Sequence, residues 1–183
     1  TYTNTGELTL SEKKQWFITE NIPAATSYLF ETGIKTNSNA GIIAWWKDKN
    51  NWIKIGLDAS ANQWYVQKCL GSKVSTETYP LPENFRFGVY HKLSIERNAG
   101  NFHIKLDNLT IPVFNELKTT ITEPGLPGLF TEDGNTNFDG IVYTNGWDEF
   151  DQNIAFWGNS LNGEKQQGEY TVENHGIATS ENI

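Results

Sequence analysis

The sequence predicts an all-β protein, an antiparallel two-sheet β-sandwich, and three observations predict it. Short runs that alternate apolar and polar residues, or are apolar throughout, recur at spacings of about eight to twelve residues. Polar clusters with strong turn preference separate them, among them residues 36–39 (TNSN), 47–51 (KDKNN) and 98–101 (NAGN). No stretch carries a convincing amphipathic helical period, and nothing suggests strands alternating with helices.

Taken in order, residues 6–18 alternate around Leu8, Leu10, Trp16 and Ile18, which reads as two short strands or one bent edge strand. Residues 26–35 (TSYLFETGIK) put Tyr28, Phe30, Thr32 and Ile34 on one face. The apolar run at 40–46 (AGIIAWW) reads as a central strand buried on both faces. Residues 52–58 (WIKIGLD) divide cleanly: Ile53, Ile55 and Leu57 point one way, and Trp52, Lys54, Gly56 and Asp58 the other. Strands are further expected at 63–70, 74–79, 90–97, 101–106, 109–113, 128–131 and 138–144. Residues 114–123 are rich in Thr and are read as irregular. His91 and His103 fall on neighbouring predicted strands and are expected to face each other.

The chain of 183 residues suffices for one domain with a real core. Residues 1–158 are assigned to the sandwich. Residues 159–183 are read as a polar, Gly-rich linker with either a closing strand or the start of a following module, because GEYTV at 168–172 echoes GELTL at 6–10. The net charge is −8, with no basic run, which argues against a nucleic-acid partner or an anionic membrane surface. No apolar window approaches the roughly 20 residues a membrane span needs, so no membrane insertion is expected. The sequence begins at Thr1 and contains no Met, as expected of a processed or excised fragment. The single cysteine, Cys69, excludes an intrachain disulfide and reads as a small buried hydrophobe.

Three segments carry a resemblance: AGIIAWWKDKNNWIKIGLD at 40–58, YHKLSIERNAGNFHIKLDN at 90–108 and GLPGLFTEDGNTNFDGIVYT at 125–144. Together they resemble the concanavalin A-like (laminin-G-like) jelly-roll superfamily. More narrowly, they are similar to sandwich modules appended to bacterial secreted glycoside hydrolases. The resemblance implies a polysaccharide or oligosaccharide partner, neighbouring domains of a larger enzyme, and a secreted, periplasmic or cell-surface setting.

Seven Trp in a chain of this length call for an explanation beyond core packing. A sugar ring presents an apolar C–H face edged with hydroxyls, which aromatic rings stack against and polar side chains hydrogen-bond. Trp52, Lys54 and Asp58 lie opposite the core face of their strand, while Trp46 and Trp64 stand at strand ends next to the turns. With Trp147, Asp148 and Glu149 of the acidic segment 146–151 (GWDEFD), these are the candidate ligand-binding residues. Core filling by the Trp side chains is the competing reading.

In an extended segment Glu149 and Asp151 would stand about 6.6 Å apart along the strand, a spacing that suits an acid and a base. Jelly-roll glucanases resemble Glu-x-Asp-x-x-Glu at their catalytic strand, but here Ile154 occupies the last carboxylate position. The sequence therefore favours a non-catalytic carbohydrate-binding or substrate-positioning module. The alternatives are a glycoside hydrolase or lyase acting through Glu149 and Asp151, and a structural spacer packing through a Trp-rich face. No cofactor is required. Oxygen ligands crowd the turn 132–139 (EDGNTNFD), so a structural Ca²⁺ with Asp139 as ligand is one candidate, and an ordinary Asx-rich turn the other.

Overall fold

The structure is a computed structural model that describes residues 6–19, 23–107, 113–143, 146–148, 158–161, 164–165 and 171–174. Its strands in chain order are β1 (Gly6–Leu10), β2 (Gln15–Ile18), β3 (Ser27–Lys35), β4 (Asn39–Asp48), β5 (Asn51–Asp58), β6 (Gln63–Leu70), β7 (Lys73–Pro80) and β8 (His91–Asn98). There follow β9 (Asn101–Leu106), β10 (Val113–Lys118), β11 (Leu126–Thr131), β12 (Thr136–Tyr143), β13 (Gly146–Asp148), β14 (Gly158–Leu161), β15 (Glu164–Lys165) and β16 (Thr171–Asn174).

They form two antiparallel sheets. The first runs β15-β14-β2-β11-β4-β5-β6-β7, and the second runs β10-β9-β8-β3-β12-β1-β16, with β13 attached to β12. This is the all-β two-sheet sandwich that the strand spacing predicts. Both β2 and β1 come from the first alternating segment, which divides between the sheets. Most of the strand expected at 109–113 lies outside the described residues; the segment 114–123, read as irregular, instead supplies most of β10 (Val113–Lys118), which pairs with β9 from Val113↔Leu106 to Lys118↔Asn101. Backbone pairing along β9 overrides the weak local preference of its Thr-flanked sequence.

The inner faces of the two sheets make the main core. Phe30, Ile34, Ile95 and Phe138 from the second sheet meet Ile42, Ile55, Leu57 and Leu129 from the first, all essentially without solvent contact. Each such side chain contributes about 1.5–3 kcal/mol through its removal from water. Strand β4 is buried on both faces, because its outward residues join a second apolar cluster of Trp16, Ile18, Ile43, Trp52, Leu126 and Phe130.

Two buried polar groups tie the layers together. The register of β4 and β5 slips at Ala44, so the Ala44 carbonyl falls at a bulge; the Tyr28 hydroxyl of the opposite sheet donates to it at 2.5 Å. At one end of the sandwich the Arg97 guanidinium, 1% exposed, donates to the carbonyls of Ala99, Ala25 and Glu123 at 3.0, 2.9 and 2.5 Å. The rings of Tyr28 and Phe102 flank it at 5.6 and 5.4 Å. His91 and His103 do not face each other: His91 is opposite Ile34 and His103 opposite Glu96.

Candidate functional site

The outer face of the first sheet has an apolar half and a polar half. The apolar half is the Trp16, Ile18, Ile43, Trp52, Leu126 and Phe130 cluster, with Tyr65 and Cys69 at its margin and Trp46 packed against it. The polar half is a groove of about 330 Å³ lined by Asn39, Lys54, Asp58, Gln63, Tyr65, Gln67, Thr76, Thr78 and Glu132. Its side chains share a face because β5, β6 and β7 pair in unbroken register: Gly56 lies opposite Tyr65, Tyr65 opposite Thr78, and Gln67 opposite Thr76.

Lys54 stands where the halves meet, and its ammonium lies 5.7, 5.4 and 4.8 Å from the ring centroids of Trp16, Trp52 and Phe130. It is only 6% exposed and is paired with Glu132, which follows β11. Burial pushes the Lys54 pKa down, and the Glu132 carboxylate opposes that shift. The Tyr65 ring lies across Gly56, where an added Cβ would sit 2.4 Å from its Cζ. Its hydroxyl donates to Asn39 Oδ1 at 2.6 Å, and burial first, then the Glu132 charge, raises its pKa.

Hydrogen bonds hold several of the remaining groove side chains in place. Asp58 Oδ1 closes the β5–β6 turn by accepting from the Ser60 amide at 3.0 Å and hydroxyl at 2.6 Å, and Gln67 Nε2 donates to Thr76 Oγ1 at 3.0 Å. Amides, hydroxyls and a carboxylate, fixed on a sheet face beside aromatic rings, can hydrogen-bond a polyhydroxylated ligand without first being ordered.

The sequence-predicted residues do not form one site. Lys54 and Asp58 line the groove, and Trp46 and Trp52 belong to the apolar half. Trp52 is 8% exposed, set edge-on to Trp16 at 5.1 Å and 90°, with its indole N–H donating to the Lys49 carbonyl at 3.2 Å. Trp64, expected at the rim, is in the main core at 4% exposure, stacked on Tyr79 at 4.4 Å and 21°. The reason is parity: Gln63 lies opposite Asp58 on the outer face, so the next residue turns inward with Leu57. Among the residues whose exposure is described, the large exposed apolar ones are Leu70, Val74, Val89 and Tyr90.

Trp147 and Asp148 lie in β13, which pairs with β12 in the other sheet and sets Trp147 opposite Val142. They are therefore not strand neighbours of Lys54 and Asp58. Glu149 and Asp151 lie outside the described residues.

The acidic turn disperses its oxygens. Glu132 pairs with Lys54, Asp133 accepts from the Asn39 amide at 3.2 Å, and Asp139 sits opposite Gly33 in the second sheet. Among the described residues no three His, Cys, Asp or Glu are grouped to hold a metal. The groove residues that sequence reasoning missed were Asn39, Gln63, Tyr65, Gln67, Thr76, Thr78 and Glu132. Carrying the parity of Lys54 across two hairpins reaches those on β6 and β7; no local signal points to Glu132, 78 positions away.

A larger cavity of about 620 Å³ lies on the second sheet, lined by Glu31, Thr32, Gly33, Tyr90, His91, Lys92, Asp107, Asp139, Gly140 and Val142. Two pairs account for four of its five acidic or basic side chains, Lys92 with Glu31 at 2.9 Å and His91 with Asp107, and Asp139 is the fifth. Of its two neutral polar side chains, Thr32 is bonded to the Gly33 and Asp139 carbonyls. The first-sheet groove has the denser set of neutral hydrogen-bonding groups and is the stronger candidate.

No family model matches the chain, and no curated protein sequence matches it. Solved structures do. The carbohydrate binding module CBM66 from Bacillus subtilis aligns with TM-score 0.56 at 16% identity over 78% of this chain and 84% of its own. Chicken galectin 2 aligns with TM-score 0.56 at 10% identity over 70% of this chain and 97% of its own. A GH43 protein of Bacillus licheniformis aligns with TM-score 0.50 at 12% identity over 66% of this chain but only 28% of that one. The shared feature is the fold, a two-sheet antiparallel β-sandwich of the jelly-roll type.

Proposed function

We propose that this chain is a non-catalytic carbohydrate-binding or substrate-positioning module that holds a polysaccharide or oligosaccharide in the first-sheet groove. The observation that carries the reading is the groove itself, with prearranged amide, hydroxyl and carboxylate groups beside the Lys54-centred aromatic cluster. A carbohydrate-binding module and a galectin among the structural neighbours support it. The GH43 neighbour, most of whose length lies outside the alignment, supports a place in a larger secreted, periplasmic or cell-surface bacterial glycoside hydrolase.

The groove's charge favours a neutral ligand. Lys54 is neutralised by Glu132, which leaves Asp58, and the chain as a whole carries −8. Uronate-rich or sulfated chains would meet repulsion without a free cation to receive them. Affinity in an open groove of this kind is expected at about 1 μM to 1 mM.

A glycan array followed by calorimetry on the isolated protein tests the reading. Neutral glycans should be retained and polyanionic ones not. Gln67→Ala with Thr78→Val should weaken the best neutral ligand at least about tenfold, the loss of one to two hydrogen bonds, while the thermal melt stays put. Retention of no neutral glycan, or unchanged affinity in the double variant, would refute it.

A further inference from the structure

Strand β7 ends the first sheet, and among the described residues no strand pairs with its far edge. It runs for eight residues against β6 with no bulge, from Gln63↔Pro80 to Leu70↔Lys73. The Leu81 amide donates to the Asn62 carbonyl, which sets the phase of the ladder: Tyr79, Glu77, Ser75 and Lys73 bond inward to β6. The N–H and C=O groups of Val74, Thr76 and Thr78 therefore point outward. Natural edges are normally blunted by prolines, bulges or short length. This one has no proline before Pro80, and Val74 is 58% exposed.

We propose that a second copy of the chain pairs antiparallel along β7, with a two-fold axis at Ser75. That register makes Val74 and the partner's Thr76 a hydrogen-bonded pair, and joins outward groups to outward groups. It sets Lys73 opposite the partner's Glu77 in a non-hydrogen-bonded pair, where side chains approach most closely. The two-fold axis repeats the ion pair, so the contact is self-complementary.

Other registers lose this match. An axis at Glu77 would oppose Glu77 to the partner's Glu77, and one at Thr76 would leave Lys73 opposite the partner's Tyr79. Glu77 is already oriented by Lys68 at 2.8 Å and the Tyr79 hydroxyl at 2.9 Å.

Pairing would join the first sheets of two copies edge to edge. Thr76 and Thr78 line the groove, so the grooves of the two copies would then meet across the axis. That consequence rests on the proposed sugar reading; the pairing does not, and it is tested without any glycan. Sedimentation equilibrium should show a monomer–dimer equilibrium populated at about 100 μM, since a contact of this size belongs to the weak end of protein interfaces.

Val74→Pro removes an outward N–H while leaving the β6 ladder intact, and should abolish the dimer with an unchanged circular dichroism spectrum. Lys73→Glu and Glu77→Lys should each be monomeric alone and should associate when mixed. A wild-type chain that stays monomeric would overturn the proposal, even if it captured some other protein. A dimer that survives Val74→Pro, or charge variants that do not complement each other, would overturn it as well.

Discussion

The outer faces of the two sheets hold similar charges in different surroundings. On the first, Lys54 sits against three aromatic rings with 6% exposure and one carboxylate partner, Glu132. On the second, Lys92 pairs with Glu31 and keeps its own side chain 45% exposed. Burial, not the identity of the pair, decides what each contributes. A desolvated ion must keep its partner, whereas an exposed one exchanges it for water at little cost.

The largest effect that would break this comparison is expected from Glu132→Ala. It leaves Lys54, 6% exposed against the aromatic rings, without its carboxylate, and should cost about 3–5 kcal/mol in chemical denaturation. A loss below 1 kcal/mol would mean that the pair is solvated like its counterpart. Next comes Gly56→Ala, which places a methyl group 2.4 Å from Tyr65 Cζ and forces the ring off the sheet. Overpacking should cost about 1–3 kcal/mol, and glycan affinity should fall because the groove floor has moved.

Glu31→Ala on the second sheet leaves only the 45%-exposed Lys92 unpaired and should change stability by less than about 1 kcal/mol. The smallest effect sharpens the point within the first sheet, where Glu77 of the edge strand, 48% exposed, pairs with Lys68 of β6. The Lys68 hydrogen bond first, then that from Tyr79, holds the Glu77 carboxyl below the usual carboxylate range. A lowered folded-state pKa contributes stability above the unfolded value of about 4.3, and loses it as pH falls through the folded value. Glu77→Gln should therefore lower stability slightly at neutral pH, and the difference from the parent should vanish as pH falls through the folded-state value.

What could be read from the sequence depended on how local its cause was. The alternation of 52–58 assigned Ile53, Ile55 and Leu57 to the core and Trp52, Lys54, Gly56 and Asp58 to the outer face, as in the structure. The run at 40–46 correctly implied burial on both sides. Trp64 was misplaced because its strand was read by residue type at its end, not by parity with its hairpin partner. The Ala44 bulge and the Lys54–Glu132 pair depend on contacts between distant segments, which periodicity does not encode. The acidic segment met a different limit: its strand joins the second sheet, a question of topology that its own residues do not answer.

Arg97 has a consequence for how the molecule can be altered. Its one guanidinium joins the backbone at Ala25, Ala99 and Glu123, segments far apart in sequence. Lengthening any one of these connections would release carbonyls on the other two, since a single rigid fork serves all three. Loop grafting, circular permutation or insertion of a reporter should fail at that pole of the sandwich. Gly71 offers a contrasting place: its turn is exposed, and an added Cβ would meet nothing within 4 Å. The sandwich thus has a sealed pole and, at the β6–β7 hairpin, a point where new sequence can be spliced in.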